Sequence, residues 1–209
     1  LVKRWKEIPK MLNLNEVSTG TENQTLELIP DKTAVRAIIN FTGGDTEKSD
    51  FGHGKLFKNS ATTSAVWADM EFTIIGGAFD KRRVWSRLFV HGDKMDENGQ
   101  PVARNIGLQT IRRMIDSIHN LKANDMSPEA QQKRNISGIQ DMQGCEFSFL
   151  VGVEPENNGY PAKNKMTVVL TPDNSDYVSG NAPAMAPASL APAAPATAPI
   201  TGRISSNFS

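Results

Sequence analysis

A chain of 209 residues has room for one or two domains, and its 38% hydrophobic and 22% charged content fits a soluble globular protein with a polar appendage. Lys plus Arg and Asp plus Glu number 23 each, so the formal net charge is zero and no global field draws in a polyanion. A single cysteine, Cys145, excludes an intrachain disulfide and suits a reducing cytoplasm, and no apolar run approaches the ~18 residues of a membrane span.

The first ten residues are charged and lack the apolar middle of a secretory signal. The first methionine is Met11. Lys6-Glu7 lies just before it, where one codon choice spells a purine-rich ribosome-binding sequence. Leu1 to Lys10 is therefore expected to be translated leader or an extension from an alternative start codon, with Met11 as the native start, and residues 1–11 are set apart from the domain as leader or flexible extension. Trp5 is not counted as a functional aromatic.

Residues 12–32 are polar and mixed, and Leu26, Leu28 and Ile29 suggest a short lead-in strand before the Pro30-Asp31 turn. Thr33 to Phe41 reads as a strand with Val35, Ala37, Ile39 and Phe41 on one face. Thr42 to Thr62 is rich in Gly, Asp, Ser and Lys and reads as a long loop carrying Phe51, His53, Lys55, Phe57 and Lys58. Loops of this length are usually functional or disordered.

Thr63 to Ile75 is the next strand. Val66, Ala68, Met70, Phe72 and Ile74 mark its apolar face, and Trp67, Asp69, Glu71 and Thr73 the other. Gly76-Gly77-Ala78-Phe79-Asp80 closes a hairpin into Lys81 to Val90. In that third strand Val84, Ser86, Leu88 and Val90 alternate with Arg83, Trp85, Arg87 and Phe89. A turn centred near Ala78 or Phe79 sets Asp69 and Glu71 opposite or diagonal to Arg87 and Trp85, and Trp67 near Phe89. A solvated strand face needs neither tryptophan nor phenylalanine. Cations interleaved with flat rings suit single-stranded nucleic acid, whose phosphates meet guanidinium groups and whose bases stack. The competing reading is a face covered by a helix or partner chain, with arginine stems packed on the rings. From Phe79 to Arg113 there are eight Lys or Arg against four Asp or Glu, a basic region in a neutral whole.

His91 to Gln100 is a turn-rich loop. Pro101 to Leu121 has helical spacing, with Leu108, Ile111, Met114, Ile115, Ile118 and Leu121 as one stripe and Arg104, Arg112, Arg113 and Asp116 away from it. Ser127-Pro128-Glu129 looks like a cap followed by a first-turn proline. Cys145 to Val153 alternates, with Cys145, Phe147, Phe149, Val151 and Val153 inward. Pro155 to Asn164 is a second polar loop with Tyr160 and Lys163, and Lys165 to Leu170 is a final strand. Ala, Pro, Ser and Asn dominate from Pro172, and only Arg203 is charged after Asp176. Residues 172–209 are read as a disordered tail that cannot offset its chain entropy. Ile204 and Phe208 near its end are either a partner-binding tip or part of an inert solubilising segment.

Five strands with one helix between the third and fourth is the order of an OB-fold. The expected fold is thus mainly β, an OB-fold-like five-stranded barrel over residues 12–171. The aromatic-basic face falls on strands two and three, and the two polar loops fall where that fold closes over oligonucleotides. Trp67, Trp85 and Phe89 would stack bases, and Lys81, Arg82, Arg83 and Arg87 would contact phosphates. Lys55, Phe57, Lys58, Tyr160 and Lys163 would come from the two loops. Each stacked ring contributes ~1–3 kcal/mol, and affinity is expected to fall steeply with salt.

Leu12-Asn13-Leu14-Asn15-Glu16-Val17, the arginine strand with its helix, Gln143-Gly144-Cys145-Glu146-Phe147 and Tyr160…Lys163-Asn164-Lys165-Met166 carry a resemblance. Over roughly residues 12–170 the chain resembles a small phage-encoded family found among replication and recombination genes and suspected of binding single-stranded DNA. A barrel followed by a tail also resembles bacterial and phage single-stranded DNA-binding proteins in general. Their tails are usually acidic, and this one is not. The resemblance implies action in phage DNA replication or recombination in the cytoplasm of a bacterial host, with replication or recombination proteins as partners of the tail.

No phosphate-cradling GxxxxGK[ST] occurs. His53, His91 and His119 have no metal-ligand spacing with Cys145. Asp69 and Glu71 share a face, as nuclease carboxylates can, but their expected cross-strand arginine favours ion pairing. The expectation is a non-enzymatic binder of single-stranded DNA with no cofactor, no metal and no membrane attachment. The alternative is a protein-interaction or virion-associated module whose aromatic face joins subunits of a homo-oligomer.

Overall fold

The computed structural model describes residues 27–48 and 50–179. The leader, the Leu12–Val17 segment and the tail from residue 180 onward lie outside the described residues. Six strands, β1 Thr33–Phe41, β2 Phe57–Asn59, β3 Val66–Ile74, β4 Arg83–His91, β5 Glu146–Glu154 and β6 Lys163–Leu170, form one antiparallel sheet. Two helices, α1 Val102–Ile118 and α2 Pro128–Arg134, lie between β4 and β5.

β3 is the hub. β4 pairs with it from Val66 to Thr73, so one edge is occupied along its length. The other edge takes β2 at residues 66–68 and then β1 at residues 70–74. β1 also pairs with β5, and β5 with β6. The sheet is not closed, so the expected OB-fold-like barrel is not shown: β4 and β6 approach one another, but no ladder joins them among the described residues.

Alternation builds the core. Val35, Ala37 and Ile39 of β1, all five inward residues of β3, and Val84, Leu88 and Val90 of β4 are buried. Phe72, Phe147 and Phe149 meet with ring centroids 5.1 to 5.2 Å apart. α1 contacts β4, β5 and β6 and adds Ile111, Met114, Ile115 and Ile118 to this core. At Gly107 a Cβ would stand 2.4 Å from the carbonyl oxygen of Phe89, so the helix rests directly on the β4 backbone.

That seating corrects two helix expectations. The covered side begins at Gly107 and Ile111, and Leu108 is left exposed. Asp116 is buried instead, because Arg134 reaches it from α2. α2 starts as expected, with Ser127 Oγ accepting from the backbone N–H of Ala130.

The expected 42–62 loop contains β2, and Phe57 at its start is fully buried. The lead-in strand is absent over its described residues 27–29. Ile29 is buried there, and its N–H and C=O pair with the Asn164 side-chain amide at 2.9 and 2.8 Å. That amide stands in for a ladder partner, so no strand is required. At the other end, packing runs past the expected boundary at residue 171. Tyr177 Oη donates to the Ser117 carbonyl at 2.9 Å, and the Val178 N–H donates to Ser148 Oγ at 3.2 Å.

Candidate nucleic-acid interface

The outward sides of β3 and β4 meet in a fixed register. Trp67 pairs with Phe89, Asp69 with Arg87, Glu71 with Trp85 and Thr73 with Arg83. This is the arrangement expected from strand alternation and the hairpin centre. The connection has eight residues, Ile75 to Arg82, and includes a 3-10 turn at Gly77–Phe79. Lys81 holds φ 64° there, a left-handed backbone unusual for a residue with a side chain.

Two carboxylates organise this face. Asp69 Oδ1 accepts from the Trp67 indole N–H at 3.1 Å and from Arg87 Nε at 3.3 Å. Its Oδ2 accepts from Lys58 Nζ at 2.8 Å. Glu71 Oε2 accepts from the Trp85 indole N–H at 3.2 Å, and its Oε1 lies 3.5 Å from Arg83 Nε. Each carboxylate therefore ties one indole to one guanidinium, contacted at Nε. Burial pushes the Asp69 carboxyl up, but the Lys58 ammonium and the Arg87 guanidinium outweigh it and hold it below the ordinary carboxylate range.

The rings differ in availability. Trp85 is 57% exposed and Phe89 is 42% exposed. Trp67 is half-buried, with the Arg87 guanidinium carbon 5.1 Å from its ring centroid and the Phe89 ring 6.0 Å away. Its ring is already engaged by protein. No helix among the described residues covers Trp85.

Beside this face lies a cleft of about 1120 Å³. Its lining includes Arg83, Trp85, Arg87 and Phe89 of β4, and Ala162 with the first three residues of β6, Lys163 to Lys165. It occupies the seam that β4 and β6 leave open. Its lining carries six cations, Lys81, Arg82, Arg83, Arg87, Lys163 and Lys165, against three carboxylates, Asp69, Asp80 and Glu154. A neutral chain thus presents a locally positive cleft.

Seven of the expected site residues line this cleft: Lys81, Arg82, Arg83, Trp85, Arg87, Phe89 and Lys163. Lys58 and Trp67 join them through Asp69. Phe57 does not belong to the site. β2 turns it inward, where its ring sits 6.5 Å from that of the buried Phe51. Lys55 is exposed in the loop before β2 and does not line the cleft. Tyr160 is exposed at the β5–β6 turn, also outside the lining, with its backbone paired to Asn157. Lys165 is the cation that sequence reasoning did not select. Its two-residue spacing from Lys163 was the available signal, since both fall on one side of a strand.

No family model matches the chain, and no curated protein matches it in sequence.

Proposed function

We propose that the β3–β4 face and its adjoining cleft bind single-stranded DNA, with Trp85 as the main stacking platform. The observation that carries this reading is the exposed Trp85 ring, fixed by its indole N–H between Arg83 and Arg87 at the edge of a cationic cleft. Bases stack on such rings without regard to sequence, and the flanking cations follow the phosphates. Phe89 extends the platform, and Lys163 and Lys165 face it from β6. Asp69 and Glu71 are occupied by indole and guanidinium donors, which supports a binder and not a carboxylate-based nuclease.

The pairing order supports an OB-like arrangement. Setting the short β2 aside, the five long strands pair first with second, second with third, first with fourth and fourth with fifth, and a helix follows the third. Only the closing pair of that partly open barrel is missing. Function still rests on the site, because the fold serves many ligands. The resemblance described above adds the setting: phage replication or recombination inside a bacterial host.

Titration with a dT oligonucleotide, read by tryptophan emission, tests the proposal. Quenching by single strand and not by duplex is the expected result. Unchanged emission and no complex at low salt reject it.

One observation favours a second reading. Among the described residues β4 has no ladder partner on its cleft side, and an unpaired edge is a template for another chain. On that reading Trp85 and Phe89 join two copies. Light scattering would then show a dimer that Trp85→Ala dissociates, with no response to oligonucleotide.

A further inference from the structure

Resting on the DNA-binding reading, we infer that Asp69 and Glu71 are positioning residues that hold the site's cations in check, so that stacking and not phosphate contact dominates binding. The two carboxylates sit inside the array of rings and arginines, not at its rim. Asp69 engages Lys58 and Arg87, and Glu71 engages Arg83. Across the cleft, Glu154 lies 3.6 Å from Lys163.

Seven cations therefore stand at or beside the cleft, and four of them already have a carboxylate partner. Lys81, Arg82 and Lys165 form no ion pair among the described residues. A phosphate arriving at Arg87 or Lys58 must compete with Asp69, and one arriving at Arg83 must compete with Glu71. The carboxylates have a second effect. Arg83 and Arg87 lie with Nε 3.5 and 3.3 Å from these carboxylates, although both side chains are 60% exposed. The rings are pinned as well, by indole N–H donation to the same two groups. The site thus presents ordered platforms with a small effective charge.

The consequence is a weak salt dependence, in place of the steep one expected from sequence. Each neutralised phosphate on a single strand contributes about 0.7 to the slope of log affinity against log salt. Three free cations give a slope of about 2, whereas all seven would give about 5. Asp69→Asn and Glu71→Gln keep an acceptor for each indole and remove the competing charge.

The experiment measures dT-oligonucleotide affinity across a salt series for the full chain, Asp69→Asn, Glu71→Gln and the double variant. The wild-type slope is expected near 2. Asp69→Asn should bind several-fold tighter at low salt and steepen the slope by about 1.4, for the two cations released, and Glu71→Gln by about 0.7. A purely structural role for the carboxylates would weaken binding without steepening the slope, and that result overturns the inference. A wild-type slope near 5 overturns it as well, whether or not the variants fold. If the wild-type protein binds no oligonucleotide, the reading of the site fails and takes this inference with it.

Discussion

Trp85 stands directly across the β3–β4 ladder from Glu71 and donates its indole N–H to that carboxylate at 3.2 Å, while more than half of the residue stays open to water. The ring is held in place and left uncovered. Because it fills no part of the core, Trp85→Ala should leave the melting temperature nearly unchanged. The same substitution should weaken dT-oligonucleotide binding by ~1–3 kcal/mol, roughly 5- to 150-fold in Kd. Fluorescence anisotropy at low salt checks this. Equal affinities for variant and wild type would remove the stacking platform from the proposal.

Asp116 and Arg134 form a buried ion pair that fastens α2 to α1. Arg134 Nε lies 2.6 Å from Asp116 Oδ1, and the two side chains are 7% and 2% exposed. Arg134 also donates to the Lys122 carbonyl at 2.9 Å and to that of Asp125. Removing one partner strands a charge away from water. Asp116→Ala should therefore destabilise the fold by ~3–5 kcal/mol in urea unfolding. Asp116→Leu with Arg134→Met should recover part of that loss, but not the part owed to the two carbonyls or to Arg112, whose Nε donates to Asp116 Oδ2 at 3.0 Å.

Gly107 lets α1 rest on the backbone of β4. Alanine there gains up to ~1 kcal/mol in helix propensity. Its Cβ would stand 2.4 Å from the Phe89 carbonyl oxygen, so the helix must lift. Overpacking of this kind costs ~1–3 kcal/mol. Gly107→Ala is expected to lower the melting temperature, and an unchanged or raised value would show that the helix is not seated by this contact.

Acid should disorganise the aromatic face through Asp69. Its carboxyl is held below the ordinary value near 4 by Lys58 and Arg87, against the opposing effect of burial. A depressed folded-state value stabilises the fold above the unfolded value, and that contribution is lost as pH falls through the folded value. Tryptophan emission should therefore stay flat from pH 7 to about pH 4 and change only below it. A transition near pH 6 would point away from Asp69. In Asp69→Asn the acid transition assigned to this group should disappear.

Much of this was legible in the chain. Strand alternation, with a hairpin centred near Ala78, fixes Trp67 beside Phe89 and Asp69 opposite Arg87, and the structure has both pairs. Phe57 was not legible. β2 has three residues, too few for a period of two to register, and the Gly-, Asp-, Ser- and Lys-rich stretch around Phe57 reads as loop. Asp116 was hidden for another reason: a carboxylate buried by a partner 18 positions later leaves no mark in helical spacing. Phe57→Ala should accordingly cost ~3–5 kcal/mol of stability, as a large buried ring does, with any loss of DNA binding tracking the unfolded fraction.

Because no main-chain bonds cross between β4 and β6, the gap between them can widen or narrow without breaking a ladder. On the proposed reading, that gap is where purines and pyrimidines of different bulk would be accommodated. α1 sits on the carbonyl of Phe89 towards one end of β4, so under the proposal the adjustment is expected at the other end, near Arg83 and Lys163.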